Sequence, residues 1–325
     1  MMSFSMNKSI MLTKKPKLND PCLVAAWPGM GSVAITAVNY LKDQLNAKLL
    51  GEVGAGDYFA ATGANVTKQV IKAPESPKNQ FFYYQSNTTT SDIIFFQGSV
   101  QPIPHKEYEF AKQILRIAQS LGVKSVYTAA AAPSDMHFKD TPRVFAAPND
   151  QNLLKKLLEY DVHFMGEGTI AGLNGLLVSV AAEMGMKGIC LLGEIPFFTA
   201  QIEFPRASLR VLEVMVKLLK INVDMMDLEL FAEQKEKEIE PLASLLSKKK
   251  PESDESQQDE TIVPPQEEKI PRSVRLKIEK LFRQAEFDRT YKSKMKLKEE
   301  LDKWELFDDY QDRFLDLFRK DGAES

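Results

Sequence analysis

Cysteine is nearly missing from this chain: 325 residues contain two, Cys22 and Cys190. Both sit in apolar, strand-like runs, which excludes a disulfide framework and leaves core packing in a reducing cytoplasm as their expected role. Histidine is as scarce, and His105, His137 and His163 show no metal-ligand spacing, so no metal site is expected. Charge of one sign is also lacking: 42 Lys and Arg stand against 45 Asp and Glu, a formal net charge of −3. A dedicated nucleic-acid binder carries a strong basic excess, so none is expected here. No apolar run approaches the ~18 residues of a membrane span. Residues 1–19 hold scattered lysines without an apolar core or a small-residue cleavage site, so no leader and no membrane partner are expected, and the expected location is the cytoplasm. The vocabulary of catalysis is absent too: no G-x-S-x-G elbow, HExxH pair, phosphate-binding P-loop or Cys–His arrangement occurs. No catalytic residue and no cofactor are therefore expected.

What the chain has is an ordinary globular composition, 44% hydrophobic, at a length that fits two domains or one larger domain with appendages. Three regions separate by pattern. Residues 20–246 alternate apolar strand-like runs with helical periodicity. Residues 247–270 pass from Lys248, Lys249 and Lys250 through an acidic stretch to Pro264 and Pro265, with too little apolar surface to offset ordering, and read as a disordered linker. Residues 271–320 return to helix. There Val274, Ile278, Leu281, Phe282 and Ala285 fall on one helical face, and Leu297, Leu301, Trp304, Phe307, Phe314, Leu315 and Phe318 form a stripe on a second helix. A break near residues 286–293 predicts an antiparallel hairpin, and Leu301, Trp304, Phe307, Phe314 and Phe318 are its candidate interaction stripe.

Within the first region, strands are predicted over residues 22–27, 49–53, 65–72, 80–85, 92–97, 125–131 and 188–193. Helices are predicted over 31–45, 105–121, 150–159, 169–184, 206–219 and 224–246, the last interrupted by Pro241. This alternation implies βαβ units: an α/β fold with a mostly parallel mixed sheet flanked by helices, carrying an antiparallel portion between residues 65 and 97.

Turns at the strand ends hold the candidate ligand- or partner-binding residues. Pro28, Gly29, Met30 and Gly31 lie between a strand and a helix, where Rossmann-type proteins hold pyrophosphate. The run is not G-x-G-x-x-G, since Ile35 occupies the third glycine place, and a tight βα turn shaped for a partner or small anion is the competing reading. Glu167, Gly168 and Thr169 precede a helix for which Thr169 is the expected N-cap. Glu194 follows another strand, as Asp135 does, so in a parallel sheet Glu167, Glu194 and Asp135 would share one edge. The basic run Arg289, Lys292, Lys294, Lys296 and Lys298 is answered by Glu299, Glu300, Asp302 and Glu305, and reads as a solvated helix face.

The opening Leu23-Val24-Ala25-Ala26-Trp27-Pro28-Gly29-Met30-Gly31, the Gly193-Glu194-Ile195-Pro196 turn and the Pro205-Arg206-Ala207-Ser208 helix start resemble the proteasome assembly chaperone family, in the branch named for the second eukaryotic chaperone. The resemblance spans residues 20–245. It implies a nucleoside-phosphorylase-like α/β domain, a homo-oligomer (trimer or larger), and protein binding without catalysis. Proteasome-engaging members end in a hydrophobic-Tyr-any tripeptide, whereas this sequence ends Gly322-Ala323-Glu324-Ser325, so docking on proteasome α-subunits in that manner is not expected. The alternative from a different class is a small-ligand or nucleotide-binding enzyme working at the strand-end turns.

Overall fold

The computed structural model describes residues 10–12, 16–60, 63–87 and 91–247. In the C-terminal part it describes 274, 277–278, 281–282, 284–285, 290–304, 306–307, 310, 314 and 317. Two compact units are formed, Met1–Pro251 and Glu252–Ser325.

The larger unit is built on a mixed nine-stranded sheet. Its centre is four strands: β7 (Ile93–Gly98), β2 (Cys22–Ala26), β8 (Ser125–Ser134) and β11 (Lys187–Pro196). Each of these runs parallel to its neighbour. On one side the order continues antiparallel through β6 (Asn79–Tyr84), β3 (Lys48–Val53) and β1 (Ile10–Leu12). On the other, β9 (Val144–Pro148) is antiparallel to β11, and β10 (His163–Phe164) is parallel to β9. The antiparallel portion expected between residues 65 and 97 is thus the β6–β7 pair. The single strand expected over 65–72 is instead a separate hairpin, β4 (Asn65–Thr67) and β5 (Val70–Lys72). Lys68 and Gln69 take positive φ, +50° and +65°, and break the run into two.

Residues alternate faces along a strand, and β2 divides its side chains accordingly. Cys22, Val24 and Ala26 enter one core, while Leu23, Ala25 and Trp27 enter the other. Burial on both faces explains why this strand is a continuous apolar run rather than an alternating one. The first core is covered by α1 (Val33–Gln44) and α5 (Pro205–Leu219), with α6 (Met226–Ser247) laid on α5. The second is covered by α2 (Glu107–Ser120) and α4 (Leu173–Glu183). A short α3 (Gln151–Leu157) begins at Asp150, whose carboxylate accepts from the Asn152 and Leu153 amides. Helix α6 runs through Pro241 rather than ending there. Ile239 and Ala243 are buried on either side of it, and that packing holds the two turns in line despite the missing N–H. No described helix is long and apolar enough to cross a membrane.

In the C-terminal unit, α7 (Tyr291–Lys303) is capped by Thr290, whose hydroxyl accepts from the Ser293 amide. Its stripe does not continue on one helix. The chain turns at Trp304, the Leu306 amide donates to the Leu301 carbonyl, and helical residues resume at Phe307. Val274, Ile278, Leu281, Phe282 and Ala285 pack with Leu297, Leu301, Leu306 and Phe314 in a core belonging to this unit. The expected linker over 247–270 lies, apart from Ser247, outside the described residues.

Candidate functional site

Strand β2 runs into Trp27, whose indole is fully buried and tilts against Phe96 at 5.1 Å between ring centroids. Gly98 makes room for it, since a Cβ there would stand 2.3 Å from the indole. Beyond Trp27 the backbone is held by side chains from distant segments. The Trp27 amide donates to Asn174 Oδ1 at 3.0 Å, and Asn174 Nδ2 donates to the Trp27 carbonyl at 3.1 Å. Thr128 Oγ1 donates to the Asn174 carbonyl at 2.6 Å. Gln101 Nε2 donates to the Pro28 carbonyl at 2.8 Å, while its Oε1 accepts from the Leu173 amide.

The turn itself is closed by backbone bonds. Gly31, at φ +62°, donates from its amide to the Ala200 carbonyl and accepts at its own carbonyl from Phe204. The Ser32 amide donates to the Gly29 carbonyl. Glycine suits position 31 because its backbone is left-handed, a conformation a side chain would strain. A phosphate-binding turn aims such amides outward at its ligand; here the Gly31 and Ser32 amides are both spent inside the protein. What faces solvent is Gly29 and Met30 from this turn, and Phe197 from the short turn 197–199 to which it is bonded.

Glu194 lies at the same strand-end edge, 3% exposed. Arg143 grips it in a bidentate pair, Nη2 to Oε1 at 2.5 Å and Nε to Oε2 at 2.8 Å. The Arg143 amide and the Ser134 hydroxyl also donate to it. The guanidinium is the main cause, with those two donors adding to it, that holds the carboxyl down to about 2 against the opposing effect of burial. Glu194 is therefore an anchored anion that ties β11 to the segment before β9. Glu167, Gly168 and Thr169 lie exposed in the loop after β10, and Asp135 is exposed after β8. Among the described residues neither Glu167 nor Asp135 is bonded to Glu194, and no group of three or more His, Cys, Asp or Glu side chains is placed to hold a metal ion.

Thr169 is not the cap of α4. The helix starts at Leu173 after Gly172, at φ +77°, because the preceding loop folds back and lays Ile170 over Gly175, where a Cβ would stand 2.5 Å from Ile170. Asn174, Gln101, Thr128 and Arg143 were not singled out by the sequence. They carry no local motif and gain meaning only through partners tens of residues away.

Beside Gln101 opens a cleft of about 680 Å³, walled by Phe59, Pro74, Pro77, Val100, Pro102 and Pro104. In the C-terminal unit, Leu301 and Phe314 face that unit's own core, Phe307 is half-buried against Phe314 at 5.4 Å, and Trp304 is exposed with its Nε1 donating to Glu300. Phe318 lies outside the described residues.

The PAC2 family matches residues 23–243. The fold is similar to that of Pyrococcus furiosus PbaB, an archaeal proteasome activator: TM-score 0.63 and 26% identity, covering 72% of this chain and 98% of that one. It is similar also to P. furiosus PbaA, an archaeal homolog of proteasome-assembly chaperone: TM-score 0.57 and 25% identity, covering 74% and 94%. In sequence, the uncharacterized protein MJ1210 of Methanocaldococcus jannaschii is 27% identical over 237 residues, 71% of this chain and 88% of its own length. With the matched span running from β2 into the last turns of α6 and containing every element of the strand-end edge, the chain belongs to the PAC2 family.

Proposed function

We propose that this chain is a non-enzymatic, assembly-chaperone-like protein that self-associates and binds protein partners, with a proteasome-related assembly as its setting. The observation that carries this reading is the strand-end edge itself. Its polar groups are committed inward: the Gly31 and Ser32 amides to carbonyls, Asn174 to the Trp27 backbone, Glu194 to Arg143 and Ser134. Its exposed elements are Met30 and Phe197, 42% and 48% exposed, on turns stitched together by the Gly31–Ala200 bond. A rigid edge with apolar tips, whose buried carboxylate and turn amides are already paired, suits a protein surface better than a small reacting molecule. The proteasome connection comes from the solved relatives, one an archaeal proteasome activator and the other a homolog of a proteasome-assembly chaperone.

The test is interferometry of the full chain against 20S particles and isolated α-type subunits of the source organism, with Met30→Lys/Phe197→Glu as control. Binding that the double substitution weakens at least tenfold supports the reading. Absence of binding to both overturns the proteasome setting. A thermal shift with ATP, nucleosides or phosphate that Glu194→Gln removes would overturn the non-enzymatic reading in favour of a small-ligand site.

A further inference from the structure

At the amino-terminal end of the sheet, opposite the strand-end edge, a cavity of about 370 Å³ opens between the starts of β2 and β8 and the last turn of α5. That size falls within the roughly 300–1,000 Å³ of small-molecule sites. Its walls are of two kinds. Pro21 and Cys22 are buried, and Tyr127, Leu218 and Leu219 are half-buried, so the floor is largely apolar. Asp20, Lys124 and Lys220 are exposed and make the rim, with Ser91 and Ser125 half-buried between floor and rim. Tyr127 brings a polar atom to that floor. Burial pushes its phenol up to about 12, so the hydroxyl keeps its proton, and among the described residues it has no hydrogen-bond partner. A sheltered donor of this kind calls for an acceptor.

The charges around the cavity decide the sign of its ligand. Lys124 meets Asp20 at 3.4 Å, with both side chains largely in solvent. Lys220, at φ +54° just past α5, is in no ion pair among the described residues. Lys187 of β11 stands in register with Ser125, hence on the same face, and is likewise in no ion pair among the described residues. Against these three ammoniums stand Asp20, the carboxyl end of α5 with about half a negative charge, and Asp92. Asp92 is buried behind the wall, its carboxylate accepting from the Asn19 and Ser86 amides. The excess is positive and small. It suits a single negative charge rather than a doubly charged phosphate, and the apolar floor suits an organic body rather than a bare inorganic ion.

We propose that this cavity binds a small carboxylate with an apolar body, the body lying on Leu218, Leu219 and the Tyr127 ring, the carboxylate meeting Lys124 and Lys220, and the Tyr127 hydroxyl donating to it. The site goes beyond the protein-binding reading above and does not depend on it, since the two lie at opposite ends of the parallel strands. Apolar burial supplies attraction, and the ammoniums select the charge.

The experiment is saturation-transfer NMR on the full chain with benzoate, benzyl alcohol and acetate as probes, repeated with benzoate on Lys124→Glu/Lys220→Glu and on Tyr127→Phe. Circular dichroism checks that each variant is folded. The expected result is saturable benzoate binding with a Kd of about 1 mM or tighter, an ordinary affinity for a ligand of this size. Benzyl alcohol keeps the ring without the charge, acetate keeps the charge without the ring, and each should bind at least tenfold more weakly. The charge reversal should weaken benzoate at least tenfold and Tyr127→Phe at least threefold. Absence of saturable benzoate binding would overturn the proposal. Benzyl alcohol binding as well as benzoate would overturn recognition of the carboxylate, and acetate doing so would overturn the apolar floor. Benzoate binding that either folded variant leaves unchanged would place the ligand elsewhere on the chain and overturn this site.

Discussion

Replacing Glu194 by Gln removes one charge from a carboxyl that is 3% exposed and surrounded by donors from Arg143 and Ser134. The Arg143 guanidinium holds this carboxyl to about 2 in the folded protein, against 4.5 as its ordinary value. A difference of that size favours the folded state by about 3 kcal/mol at pH 7. Because the folded value lies below the unfolded one, this stabilisation is complete above the unfolded value. It is lost as pH falls toward the folded one, to about half at pH 3 and a few tenths of a kcal/mol at pH 2. Urea denaturation measures it, read by Trp27 fluorescence in a Trp304→Phe background, where Trp27 is the single tryptophan. The parent should exceed Glu194→Gln by most of that amount at pH 7, and the gap should narrow steadily between pH 5 and pH 2. Arg143→Ala should cost at least as much as Glu194→Gln at pH 7, because it strands a buried carboxylate, and should recover part of the loss on acidification. A gap between parent and Glu194→Gln that is the same at pH 7 and pH 3 would refute the reasoning, since it would assign the loss to packing rather than to ionisation.

Three further outcomes are expected. Asn174→Ala leaves the Trp27 amide and carbonyl without their buried partner and should destabilise by about 2–4 kcal/mol, visible as a lowered urea midpoint with unchanged slope. Gly98→Ala places a methyl 2.3 Å from the Trp27 indole, so the ring must leave its site. Its emission should shift to the red or the protein should fail to accumulate, and an unshifted spectrum at parental stability would count against the packing described. Cys22 and Cys190 are buried free thiols that burial pushes up to about 12, so neither should react with a thiol reagent at pH 8 until denaturant is added.

The strands buried on both faces were legible because their sequences are unbroken apolar runs: β2, β7 and β11 were each expected within a few residues of where they stand. Helices α2 and α5 were legible from their periodicity and from Pro104 and Pro205 at their starts. Strand β9, Val-Phe-Ala-Ala-Pro, was not, since it neither alternates nor carries β-branched weight beyond Val144, and it exists because β11 offers an edge to pair with. The glycine turn was placed between β2 and α1 as expected. Its character was not legible, because whether the Gly31 amide points at a ligand or at Ala200 depends on where a residue far along the chain comes to rest. For the same reason Arg143 could not be read as the partner of Glu194.

The cap that Asn174 places on Trp27 bridges 147 positions of chain. During synthesis at about 5–20 residues per second, Trp27 therefore emerges roughly 7–30 s before Asn174 does. Strand β2 cannot settle earlier by local means, since its neighbours β7 and β8 also come later. Until β7 and β8 emerge, the nascent chain carries an apolar strand from Cys22 to Ala26 without its sheet neighbours, and the face bearing Leu23, Ala25 and Trp27 waits longer still for α4. An exposed apolar strand of this kind is what aggregation acts on, so the yield of this chain in a cell should fall when synthesis is made faster or exit-site chaperones are depleted.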